Sequence, residues 1–290
     1  HVGDSLNRYG KKAFNRFSFK SLLVKYIPAL IIGGGSRIFK TNAEIQAMVF
    51  PDVTDDQVFG FMTELNMIDY FDAAKLQQLK QSISSMHEGT IIIYGCGASL
   101  IAPDNHNLLV YADMARWEIQ LRMRRNEIDN LGVSNREATY AEQYKHAYFV
   151  DWRVCDRLKK QLFHKWHYVL DTNKKNSPIL VESSAILHGL EAATRTPFRV
   201  VPFFDPGPWG GQWMKEVIDL DPHVTNFAWG FDCVPEENSL LLAFEDVIVE
   251  IPSINLVFYK PKELLGEKVY AMFGDEFPIR FDFLDTMGGG

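Results

Sequence analysis

The sequence predicts an α/β layer followed by an all-β region, and three observations predict it. Short apolar strands alternate with helix-period segments up to about residue 195. A seam dense in proline and glycine, Pro202–Met214 (PFFDPGPWGGQWM), comes next. Beyond the seam, apolar residues recur at every second position, the period of a half-buried strand. Pro202, Pro206 and Pro208 fit neither a helix interior nor a central strand, and Gly207, Gly210 and Gly211 supply positive-φ positions. The boundary is expected near Thr196, with domains at residues 1–195 and 196–290.

Taken in order, the first stretch is polar and aromatic, with a short helix expected over Leu22–Tyr26 that Pro28 stops. Ala29–Gly34 is continuous and apolar, as in a buried parallel strand. Thr41 caps a helix with Ile45, Met48 and Val49 on one face, and Pro51 is expected to end it. Thr54 is read as the cap of a further helix, because Val58, Phe59, Met62 and Leu65 fall at helical spacing. Asp72 opens another, with Leu76, Leu79 and Ile83 on its stripe. Thr90–Tyr94 (TIIIY) is the strongest strand, being β-branched and apolar throughout.

A second strand covers Leu108–Ala112, and a helix over Met114–Asp129 is expected to bury Met114, Trp117, Leu121 and Ile128. Glu127–Gln143, the most polar stretch, is read as a mobile loop or lid. Trp152, Cys155, Leu158 and Leu162 mark a helix, Tyr168–Asp171 a strand, and Ser184–Thr194 a helix with Ile186, Leu187 and Leu190 inward. Past the seam, Ser239–Glu250 holds two apolar runs and Ile254–Tyr259 alternates. Phe277–Leu284 places Ile279, Phe281 and Phe283 on one face. Short antiparallel strands with Gly/Pro turns are those of a jelly-roll start.

A net charge of −7 at 290 residues excludes a general nucleic-acid or anionic-membrane binder, whose partners this field repels. No apolar run reaches the roughly 20 residues of a spanning helix. Cys96, Cys155 and Cys233 are widely spaced in apolar surroundings, the usage of buried thiols in a reducing cytoplasm. The sequence opens on His1 and stops on three glycines, so both ends are expected to be cuts.

The strand–helix order up to residue 195 is that of a nucleoside-kinase-like layer, which directs attention to phosphate cradles. Gly33–Thr41 (GGGSRIFKT) comes nearest, but Phe39 stands where a glycine must precede the lysine, so no P-loop is intact. Gly95-Cys96-Gly97 lacks the third glycine of a dinucleotide fingerprint. Arg116, Arg122, Arg124 and Arg125 beside Asp113 are like a phosphate-clamping lid helix, or else a solvated basic face. Asp113 and Asp171 end strands where a sheet ligand, or an ordinary cap, would sit. His164 and His167 are one helical turn apart but lack the further ligands zinc needs. Glu236, Glu237 and Asn238 are read as a solvated turn before an acid–base pair.

Several runs together carry a resemblance. WGGQWM at Trp209–Met214 precedes FDCVPEENSLLL at Phe231–Leu242 and EFPIRFDFLDTMGGG at Glu276–Gly290. Upstream lie VYADMARWEIQLRMRR at Val110–Arg125 and VDWRVCDRLKKQLF at Val150–Phe163. In this order they resemble class I mannose-6-phosphate isomerases, in the bacterial variety where a kinase-like α/β layer precedes a cupin barrel. The resemblance implies a P-loop-kinase-like layer without a P-loop, then the first strands of a cupin. It implies a cytoplasmic enzyme that interconverts mannose 6-phosphate and fructose 6-phosphate through an enediol, with zinc as cofactor and a sugar phosphate as its partner. The family's Gln-x-His metal ligands follow the FP…LD segment, so they are expected beyond Gly290, no residue here is assigned to the metal, and this segment alone is expected to be inactive. Trp209, Lys268 and Arg280 are the substrate-binding candidates; Asp282 stands where many members have a phosphate-contacting lysine. Two other readings stand beside it: a nucleotide-binding or phosphotransferase layer with a β appendage, and a non-catalytic supporting module.

Overall fold

The computed structural model describes residues 29–33, 38–86, 90–101, 108–195 and 239–260. The protein is mixed α/β, and its described residues fall into two compact units. One lies within Phe17–Tyr111 and Ile119–His167, the other within Ala112–Glu118 and Tyr168–Gly290.

In the first unit, strands β1 (Ala29–Gly33) and β2 (Thr90–Tyr94) pair in parallel, Ala29 opposite Thr90 and Gly33 opposite Tyr94. Helix α1 (Asn42–Val53) starts at a capping box: the Glu44 N–H donates to the Thr41 hydroxyl, and the Thr41 N–H donates to the Glu44 carboxylate. Ile45 and Val49 are buried beneath it. The helix runs two residues past Pro51 and ends at Thr54, whose φ of 58° breaks the spiral. The expected helix over Val58–Leu65 is absent. Thr54 closes α1 rather than capping a new helix, and residues 54–66 form an irregular loop leading to a 3₁₀ turn at Met67–Tyr70.

Asp72 accepts from the Ala74 and Lys75 N–H groups and so starts α2 (Ala73–Ser84). The β2 strand leads to a tight turn in which Gly97 has φ +75°; a Cβ there would lie 2.5 Å from the Phe71 ring. Strand β3 (Val110–Asp113) begins in this unit and ends in the other, and α3 (Arg116–Arg124) likewise crosses from one to the other. Met123 is buried on α3, whereas Met114, Trp117 and Leu121 are half-buried. Then α4 (Tyr140–His146), a π turn over Ala147–Asp151, and α5 (Trp152–Leu162) form one continuous helical run.

The buried stripe of α5 is not the apolar one expected. Trp152 and Val154 are buried, but so are Arg153, Asp156 and Lys159, with Cys155, Leu158 and Leu162 only half-buried. Charge compensates charge on that face: Arg153 Nη2 lies 3.9 Å from Asp156 Oδ2, and Lys159 Nζ sits 5.4 Å from the Tyr111 ring centre.

In the second unit, β3 neighbours β4 (Tyr168–Asp171), which neighbours β5 (Ile179–Glu182). The β4–β5 pair is antiparallel, Tyr168 opposite Glu182, where the strand–helix alternation implied parallel neighbours. Helix α6 (Ser183–Thr194) follows β5 directly and buries Ile186 and Leu190, with Gly189 against the Leu242 side chain. Strands β6 (Ser239–Phe244) and β7 (Val247–Pro252) form a hairpin with a two-residue turn, Glu245 at φ 52°. Leu240, Leu242, Val249 and Ile251 face inward, while Leu241 and Ile248 are exposed on the other face. Ile254–Tyr259, expected as an alternating strand, is helix α7, with Ile254 and Leu256 buried. No barrel is formed by the described residues, and no helix among them is long and apolar enough to cross a membrane.

Candidate functional site

Trp209, Lys268 and Arg280, with Asp282, Glu236–Asn238, the Leu22–Tyr26 helix and the Phe277–Leu284 strand, lie outside the described residues. The other sequence candidates separate rather than converge. Phe39 is a buried ring packed at a tilt against Tyr70 and Phe71, at 5.9 and 5.5 Å, and the Lys40 ammonium donates to the Asp69 carbonyl at 2.6 Å. Phe39 is thus engaged in packing and Lys40 in a backbone hydrogen bond, while residues 34–37 lie outside the described residues. His164 packs edge-on to Phe163, and His167 Nδ1 accepts from the Leu109 N–H at 2.9 Å. Among the described residues no three His, Cys, Asp or Glu side chains converge as a metal site.

Asp113 and Asp171 act as turn carboxylates. Asp113 Oδ1 accepts from the Met114 N–H at 3.1 Å. Asp171 Oδ1 accepts from the Asn173 N–H, and its Oδ2 from the Glu250 N–H at 2.9 Å, tying β4 to β7. In and just after the helix that follows Asp113, Arg116 is buried, Arg124 stacks over the Tyr140 ring and Arg125 pairs with Glu127. Of the cysteines, Cys96 is exposed and Cys155 half-buried, so the expected burial fails at the first because it occupies the open turn after β2. Cys233 lies outside the described residues.

Chemistry-bearing side chains do gather around the π turn. Its wide spiral lets the Phe149 carbonyl accept from the Thr63 N–H, 3.0 Å away and outside the helix. It also brings Asp151 inward. Asp151 Oδ2 accepts from Asn130 Nδ2 at 2.6 Å and from the Leu131 N–H at 3.2 Å. Asn130 Nδ2 also donates to the Gln143 carbonyl, and Gln143 Nε2 donates to the Ile128 and Asn135 carbonyls. These bonds hold the polar stretch 127–143, expected as a mobile lid, into a loop stapled from within and continued by α4.

The other Asp151 oxygen, Oδ1, lies 3.4 Å from His146 Nε2. The two atoms are misaligned for a hydrogen bond, and among the described residues neither has a hydrogen-bond partner. Gln143 Oε1 and the Tyr70 hydroxyl, each on a fully buried residue, are likewise unpartnered. Burial, and after it the negative charge of Asp151, holds the Tyr70 hydroxyl far above the ordinary phenol range, so it stays protonated. With Tyr70 at 0% exposure the cluster is closed to solvent at the phenol end. Sequence reasoning missed this cluster; its only signal was polar Gln143, His146 and Asp151 recurring inside a run otherwise rich in apolar residues.

The described residues form a mixed α/β protein with this enclosed polar cluster in its first unit. Residues 17–195 match the family described as Domain of unknown function (DUF8485), and because that match spans more than half of the chain, the chain belongs to this family. Neither a curated protein nor a solved structure matches it.

Proposed function

We propose that the chain serves a cytoplasmic mannose-6-phosphate isomerase, with residues from 196 onward contributing strands to a cupin-type catalytic barrel and the preceding kinase-like layer acting as a support. The observation that carries this reading is the ordered set Trp209–Met214, Phe231–Leu242 and Glu276–Gly290. Two features of the fold support it. The β6–β7 hairpin is antiparallel and keeps apolar Leu241 and Ile248 on its outer face, as a strand pair with a second layer to cover it does. The buried Phe39 and engaged Lys40 favour a supporting role for the α/β layer over phosphotransfer.

In this reading Trp209 walls the sugar pocket, and Lys268 and Arg280 attract the phosphate. The reaction moves a proton between adjacent carbons through an enediol. Zinc is the metal the reading implies, with its ligands expected beyond Gly290.

The test is turnover of mannose 6-phosphate to fructose 6-phosphate by the natural gene product that carries this chain. The expected result is activity lost with a chelator, restored by zinc, and raised in KM by Arg280→Ala. Absence of turnover with zinc supplied overturns the proposal. Stabilisation by ATP and Mg²⁺ in a thermal-shift measurement would replace it with the nucleotide-binding reading.

A further inference from the structure

The loop between α1 and the 3₁₀ turn is built to hold apolar side chains in water. Its ends meet where the Phe61 N–H donates to the Asp52 carbonyl at 2.7 Å. Inside, the Asp56 carboxylate accepts from the Val58 and Phe59 N–H groups, both at 2.7 Å, and the Thr54 hydroxyl donates to the Phe59 carbonyl at 2.9 Å. From below, the buried Lys145 ammonium donates to the Thr54 and Asp56 carbonyls. Gly60 allows the backbone to lie flat on the layer beneath, since a Cβ there would stand 2.5 Å from the Asp52 carbonyl oxygen and 3.0 Å from the Phe149 ring.

The result is a compact Ω-type loop with its backbone fixed. Yet Val58, Phe59 and Phe61 are 64%, 62% and 63% exposed. A soluble protein that merely needed a connection here would turn such residues inward or make them polar.

The loop's own stretch carries one sign of charge, and the two cations that reach it from elsewhere, Lys145 and Arg157, donate to its backbone carbonyls, Arg157 lying also 4.0 Å from Glu64. From Thr41 to Ala74 the sequence holds seven Asp and Glu and no Lys or Arg. Asp55, Asp56 and Glu64 are exposed beside the apolar residues. Such a field repels nucleic acid and anionic lipid and attracts cations.

We propose that residues 52–64 form a docking surface for a basic amphipathic segment of a partner protein, whose apolar side chains cover Val58, Phe59 and Phe61 while its lysines or arginines meet Asp55, Asp56 and Glu64. A fixed backbone means that little ordering entropy is lost on binding, which is what a small anchor site needs. The inference concerns the first unit alone and stands apart from the isomerase reading.

The probe is a fluorescein-labelled amphipathic peptide of leucine and lysine, titrated with the chain and followed by anisotropy. A leucine–glutamate peptide is the control. The expected result is saturable binding of the basic peptide only, weakening as salt rises. Phe59→Ser with Phe61→Ser is expected to weaken it by at least roughly tenfold. Asp55→Asn with Glu64→Gln should flatten the salt dependence. Unchanged far-UV dichroism and melting temperature show that the exposed substitutions leave the fold intact, and Val58→Ser provides an independent third position. Equal binding of both peptides, or binding indifferent to Phe59 and Phe61, overturns the proposal. So does sedimentation showing a dimer that Phe59→Ser dissolves, because the occupant would then be a second copy.

Discussion

Asp151 concentrates the energetic risk of the first unit in one side chain. Its Oδ2 satisfies Asn130 and the Leu131 backbone at once, and its charge faces His146 across 3.4 Å. Asp151→Ala leaves two buried donors unmet and is expected to cost about 3–5 kcal/mol in urea unfolding. Asp151→Asn keeps one acceptor oxygen and should cost less; equal losses for both variants would show that charge, not acceptor geometry, matters.

Asp129 sets an acid limit of a different kind. The Arg136 guanidinium, 2.6 Å from it, and then the Arg136 and Asn135 N–H groups hold its carboxyl below the usual range. A carboxyl depressed in the folded state contributes stability in full above its unfolded value, about 3.9. That contribution is lost as pH falls below it. The melting-temperature gap between the wild type and Asp129→Asn should therefore be widest near neutrality and close below about pH 4. Glu44, Asp56, Asp72 and Glu142 are depressed in the same direction by the hydrogen bonds they accept, so acid acts on three helix starts and the loop at residues 52–64 together.

At the scale of elements, the loop at residues 52–64 and the π turn are coupled through long-range bonds. Lys145 reaches the loop across some 90 residues of sequence, as does Arg157, which donates to the Thr63 and Leu65 carbonyls. Lys145→Met is expected to speed amide exchange at Val58 and Phe59 well before α1 or α5 is affected. Uniform acceleration across the first unit would instead mean that loop and core open as one.

Those long-range bonds also explain what the sequence concealed. Thr41, Asp72 and the β-branched run Thr90–Tyr94 act locally, so the starts of α1 and α2 and the strand β2 were legible. The helical spacing of Val58, Phe59, Met62 and Leu65 misled, because the Lys145 ammonium that fixes a loop there comes from a distant segment. Ile254–Tyr259 misled in reverse: six apolar residues suit either period, and tertiary packing chose the helix. The strand β5 went unseen because ILVE leads into α6 without a turn residue. The buried cluster escaped notice since a π turn has no sequence signature, and His146 and Asp151 become neighbours only through it.

For the whole molecule, the order of the chain and the membership of its units do not coincide. Residues 112–118 belong with the stretch that begins at Tyr168, although the intervening segment belongs with what came before. A ribosome therefore releases the closing half of β3 long before the strand that borders it, and non-local closure of this sort slows assembly. Nascent chains halted just after His167 are expected to be digested at residues 112–118 by a protease, and chains halted after Thr194 to resist it there. The unmated strand end would meanwhile be a natural client for a holding chaperone, a dependence that arises from wiring rather than from any weakness of the finished protein.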